Sequence, residues 1–148
     1  MPDMTSTPRD DEDEAEYPGY SETMTRTPET ALKARLLARV AMSAWDMDDA
    51  CDSAALLLTE LFANAVRHAR GERVRVIISR PDEDRVYVAV VDREPRRLPE
   101  LREAGAEDIG GRGLALVEEM ADRWGYDLMG NGLRPWGKRV WAEMKVTR

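Results

Sequence analysis

A single cysteine and a single histidine occur in 148 residues. Cys51 on its own excludes an internal disulfide and any cysteine-based zinc cluster. No apolar run approaches the roughly 18 residues that a membrane span needs. The opening stretch, MPDMTSTPRDDEDEAEYPGY, has neither the basic n-region nor the apolar h-region of a secretory signal. There is no basic stripe to neutralise phosphates, so nucleic acid is not an expected partner. No GxxxxGK motif followed by Ser or Thr is present, which excludes a Walker-type phosphate loop. The expectation from these absences is a soluble, cytoplasmic protein with no membrane contact.

What is present is uneven charge. The formal net charge is −7, and residues 1–30, with nine acids and two bases, account for all of it. Residues 31–148 balance, with 20 acids and 20 bases. The run DDEDEAE (10–16) has too little apolar surface to offset the entropy of ordering it. Residues 1–26 therefore read as a disordered acidic tail. Such a tail acts as a solubilising run, or touches a basic partner or the domain's own binding site. Residues 27–148 read as one compact domain, long enough for a real core and too short for two comfortable ones.

Periodicity orders the elements. Thr27-Pro28-Glu29 predicts a helix start, with a capping hydroxyl and proline at the first helical position. The helix should run to about Ala44, with Leu32, Leu36, Leu37, Val40 and Ala41 as its apolar stripe. A second helix is predicted over 50–69, ending near Gly71. RVRVIISR (73–80) and RVYVAVVD (85–92) alternate and form a hairpin about Pro81–Asp84. Residues 93–109 are charged, contain two prolines and lack periodicity, which suggests a binding loop or lid. GGRG (110–113) opens a third helix, LALVEEMADR; strands through Trp124, Tyr126 and Leu128 and through Val140 to Val146 follow, with GNG (130–132) as a turn. The fold class is α+β: a two-layer sandwich with helices on one face of a mostly antiparallel sheet. Trp124 and Trp141 lie in strands and read as core; Trp136, between Pro135 and Gly137, reads as exposed.

Three places break the pattern of a plain core. Glu60 and Asn64 are one turn apart, about 40° around the helix axis, beside Leu57 and Leu61. Partly burying a carboxylate costs free energy unless something binds it. An amide oxygen there can hold a hard cation such as Mg²⁺, and a neighbouring carboxylate can orient or deprotonate a nucleophile. A Glu–Asn pair at a solvated helix edge is the plainer alternative. Asp92 ends a strand, where a carboxylate can accept a hydrogen bond from an exocyclic amine or simply close a turn. Glycines at 110, 111 and 113 let backbone approach a ligand at a helix start, where free N–H groups attract phosphate, or merely supply positive φ.

In this order, these segments resemble the histidine-kinase-like ATPase superfamily of the Bergerat fold, and within it the small anti-sigma-factor serine/threonine kinases. ELFANAVRHA (60–69) resembles the N box, VVDREP (90–95) the first glycine box, DIGGRGLALVEEMADRWG (108–125) the second, and GKRVWAEM (137–144) the closing strand. The resemblance covers residues 27–146. It implies that Asn64 coordinates Mg²⁺ bridging the ATP phosphates and that Glu60 is the catalytic base for a partner's serine hydroxyl. It implies that Asp92 binds the adenine amine and that Gly111, Arg112, Gly113 and Leu114 surround the phosphates with N–H groups. Residues 93–109 would be the ATP lid, Lys138 would face the nucleotide, and His68 would pack or hydrogen-bond. The implied partners are an anti-anti-sigma (antagonist) protein or a sigma factor, and homodimers are common in that family. The alternative is a non-catalytic or weakly ATP-binding module that sequesters a regulatory protein. One departure favours it: Glu94 stands where the family's first glycine box has glycine.

Overall fold

The computed structural model describes residues 19–96, 114–131 and 133–146. A five-stranded antiparallel sheet, in the order β1-β2-β3-β5-β4, carries helices on one face. The elements are β1 (Gly19–Thr25), α1 (Ala31–Ala44), α2 (Cys51–His68), β2 (Arg73–Asp82), β3 (Arg85–Asp92), α3 (Leu114–Met120), β4 (Arg123–Asn131) and β5 (Arg134–Lys145). Period-two alternation explains the layers. Val74, Val76 and Ile78 of β2, Val86, Val88 and Val90 of β3, and Val140, Ala142 and Met144 of β5 point into one core with the helices. Leu57, Leu58, Leu61 and Phe62 of α2 fill that core from above.

Strand β1 corrects the tail expectation over residues 19–26. It pairs with β2 from Gly19↔Ser79 to Thr25↔Arg73. Only Met24 of β1 is buried, so no apolar alternation marks it in the sequence. Backbone pairing to an existing strand, together with Met24 in the core and Tyr20 against Trp45 at 5.9 Å, orders it instead. Arg26 then ties the strand's end to the end of α2. Its Nη1 donates to the Val66 carbonyl and its Nε to the Gly71 carbonyl, each at 2.7 Å. The first 18 residues of the expected tail lie outside the described residues.

Helix α1 corrects a second expectation. It begins at Ala31, after a single 3₁₀ turn at Pro28–Thr30. The Thr27 hydroxyl meets the Thr30 hydroxyl at 2.8 Å and caps no backbone N–H. The buried face is Ala34, Ala38, Ala41 and Met42, while Leu32, Leu36 and Val40 are exposed. Ala34, Ala38, Ala41 and Met42 face inward and share the main core with the apolar residues of α2. Helix α2 ends where expected: Gly71 takes φ +86°, a conformation that L side chains rarely adopt. Trp124 packs partly buried against the main core and Trp136 is exposed, as expected. Trp141 differs. It lies on the opposite face of the sheet, in a small cluster with Ile77, Ala89, Val91 and Met129. No helix among the described residues is long and apolar enough to cross a membrane.

Candidate nucleotide site

The site is built where α2 lies over the ends of β3 and β5. Glu60 and Asn64 come from the middle of α2, and both are buried, at 7% and 6% exposure. The four-residue spacing puts them on one stripe, as the sequence requires. Among the described residues, the buried side-chain polar atoms without a hydrogen-bond partner include Glu60 Oε2, on the same stripe as Asn64. Nearly all buried polar groups in proteins have a partner, so a buried carboxylate oxygen without one is suited to meet a ligand. An amide oxygen also fits Mg²⁺, which takes few protein ligands and keeps several waters. No group of three or more His, Cys, Asp or Glu suited to a metal occurs among the described residues.

Asp92 is brought to the same layer by strand parity, since it shares the inward face of β3 with Val88 and Val90. Its cross-strand partner is Lys138 of β5. The Lys138 ammonium donates to Asp92 Oδ1 at 3.0 Å and to the Glu94 carbonyl at 2.7 Å. Both side chains are about 1% exposed. Burial raises the Asp92 carboxyl above its ordinary value; the Glu94 N–H and Lys138 oppose that shift without cancelling it.

Glu94 does not project freely into the site. Its N–H donates to Asp92 Oδ1 at 2.8 Å, and its Oε2 accepts from the Arg96 N–H at 3.1 Å. Two successive carboxylate-to-backbone bonds thus shape the turn that glycine shapes in the resembled family. Arg70, just past α2, pairs with Glu94 Oε1 at 2.9 Å. Gly137 lets this corner close: a Cβ there would stand 2.1 Å from the Asp92 carbonyl oxygen.

The structure therefore brings Glu60, Asn64, Asp92 and Lys138 into the layer between helices and sheet. Leu114 opens α3, which packs on α2. Gly111, Arg112 and Gly113, and most of the expected lid over 93–109, lie outside the described residues. Sequence reasoning missed Arg70 as the partner of Glu94. No local signal gives that pair, because it joins a helix end to a turn 24 residues later. It also missed Gly137, whose need for glycine comes from β3 and is invisible within β5.

A comparison with curated proteins found no match. The family model described as "Histidine kinase-like ATPase domain" matches residues 24–142.

Proposed function

Because the chain belongs to the histidine kinase-like ATPase domain family, we propose that it is an ATP-binding regulatory protein that phosphorylates a serine on a partner. The observation that carries this reading is the pairing of a buried carboxylate, Glu60, with a buried amide, Asn64, one turn apart over the end of β3. Phosphoryl transfer asks a protein mainly to position reactants and neutralise charge. Asn64 would hold Mg²⁺, which when bound neutralises phosphate charge. Glu60 accepts the proton of the attacking serine hydroxyl as that oxygen bonds to the γ-phosphorus and ADP leaves. Asp92 keeps Oδ2 for the exocyclic amine of adenine, since Oδ1 is taken by Lys138 and the Glu94 N–H. Gly111, Arg112, Gly113 and Leu114 supply backbone N–H groups to the phosphates. The partner of this reading is an antagonist of an anti-sigma factor, or the sigma factor itself, engaged by a monomer or homodimer.

A second reading has its own support. The Asp92 side chain is almost wholly buried and its Oδ1 is already bound by Lys138 and the Glu94 N–H, so the base has only Oδ2 to reach in a crowded corner. That favours a module that binds ATP weakly and holds a regulatory protein without catalysis. Calorimetry of ATP with and without Mg²⁺, followed by radiolabel transfer to co-purifying proteins, separates the two. For the kinase, Glu60→Gln should cut transfer by about 10²–10⁴-fold and leave ATP affinity nearly unchanged. ATP binding with no transfer to any partner would replace the first reading by the second.

A further inference from the structure

Lys138 is paired with Asp92, yet the pair does not use up the ammonium. An ammonium carries three N–H donors. Among the described residues, that of Lys138 has two acceptors, Asp92 Oδ1 at 3.0 Å and the Glu94 carbonyl at 2.7 Å. One N–H remains, on a side chain about 1% exposed. Leaving a buried donor without an acceptor costs free energy, and more so when the donor is charged. Asp92 is the counterpart. Its Oδ1 accepts from both Lys138 and the Glu94 N–H, at 3.0 and 2.8 Å, which leaves Oδ2 to accept from a ligand.

The remaining donor and the remaining acceptor belong to neighbours. Asp92 and Lys138 are cross-strand partners on the helix-facing side of β3 and β5. Gly137 lets β5 lie close to the Asp92 carbonyl, where a Cβ would stand 2.1 Å away, so Lys138 starts from a closely held backbone. The Glu94 carbonyl gives the ammonium a second anchor beside the carboxylate. An acceptor next to a donor is complementary to a ligand edge with a donor next to an acceptor. The Watson–Crick edge of adenine has that order, since its exocyclic amine donates and the adjacent ring nitrogen N1 accepts.

We propose that Lys138 reads the base: while Asp92 Oδ2 accepts from the exocyclic amine of adenine, the third N–H of Lys138 donates to N1. This inference rests on the ATP-binding reading above and adds to it the atom that Lys138 recognises. Lys138 is then a binding residue as well as the counter-ion of Asp92. A buried donor aimed at a ring acceptor discriminates against a base that lacks that acceptor, because the donor is left unpaired. A counter-ion alone has no such preference.

Calorimetry with Mg²⁺ on the full chain compares ATP with two analogues. In 1-deaza-ATP a C–H replaces N1; 7-deaza-ATP keeps N1 and the amine. Wild type should bind ATP and 7-deaza-ATP alike and 1-deaza-ATP about 10–100-fold more weakly, the weight of a hydrogen bond to a charged group. In Lys138→Met the ratio between ATP and 1-deaza-ATP should shrink to about threefold or less. That substitution removes a buried charge, so a second measurement on wild type guards against a variant that fails to fold. The chain has three lysines, and Lys33 and Lys145 are exposed. With ¹⁵Nζ-lysine, the buried ammonium of Lys138 is the one sheltered from exchange with water. Its resonance should move with ATP and 7-deaza-ATP and much less with 1-deaza-ATP. Equal binding of ATP and 1-deaza-ATP by wild type overturns the proposal. So does an equal loss with either deaza analogue, the same ratio in Lys138→Met as in wild type, or an Nζ resonance that moves alike with ATP and 1-deaza-ATP. Wild type that binds no ATP is a different result, which overturns the ATP-binding reading and this proposal with it.

Discussion

Lys138 holds a buried carboxylate in place in the candidate site. Its ammonium is the counter-charge for Asp92 and the donor to the Glu94 carbonyl, and the side chain is almost wholly buried. Lys138→Ala should cost about 3–5 kcal/mol in urea unfolding, because it leaves a carboxylate and a carbonyl without their donor. The pH dependence has a definite sign. Burial holds the Asp92 carboxyl above its unfolded value, so its contribution is full below about pH 4 and is lost as pH rises through the raised value. Removing the cation raises that carboxyl further. Lys138→Met should thus lose more stability than wild type between acid and neutral pH, as urea midpoints across that range would show. At the alkaline end, burial pushes the Tyr87 hydroxyl up to about 12 from 10.0. Its contribution is intact below pH 10 and is lost as pH rises through about 12. Tyr87→Phe should flatten that loss, and phenolate absorbance should show the matching late titration in wild type.

At the scale of elements, helix α1 and strand β5 make opposite demands. Helix α1 buries alanines and Met42 and exposes Leu32, Leu36 and Val40. Leu36→Gln should change unfolding free energy by no more than about 0.5 kcal/mol, whereas Met42→Ala should cost about 2–5 kcal/mol. The reverse ranking would mean that the helix turns its leucines inward. Strand β5 has no room at Gly137, whose missing side chain lets the strand lie against the Asp92 carbonyl. Gly137→Ala should destabilise the fold by about 1–3 kcal/mol, as overpacking does, and shift the Asp92 and Lys138 resonances together.

At the scale of the whole molecule, β1 joins what looked like tail to the domain. Its pairing with β2, Met24 in the core, and the Arg26 bonds to the end of α2 are all lost if the chain is cut after residue 26. Removing residues 1–18 should lower the thermal midpoint far less than removing residues 1–26, and only the longer deletion should expose the edge of β2. Paired thermal melts of the two deletions check this.

Much of the fold was legible because strands and helices announce their period. The alternation in RVRVIISR and RVYVAVVD set which side chains face the helices, and with them the inward position of Asp92. The four-residue step from Glu60 to Asn64 placed both on one helical stripe without any tertiary information. The order of those segments, with the glycines before α3, pointed to the ATPase family. Other features depend on partners distant in the chain. The orientation of α1 depends on the face it turns to α2 and the sheet, since either its leucines or its alanines satisfy a helical period. Strand β1 has one buried residue and exists through hydrogen bonds to β2. Glu94 pairs with Arg70 from the end of α2, and the glycine at 137 depends on a carbonyl of β3. Local periodicity is a property of the chain, so sequence alone determined it. Which face is covered, which carboxylate is paired and where no Cβ fits are properties of surfaces meeting, and only the tertiary structure decided them.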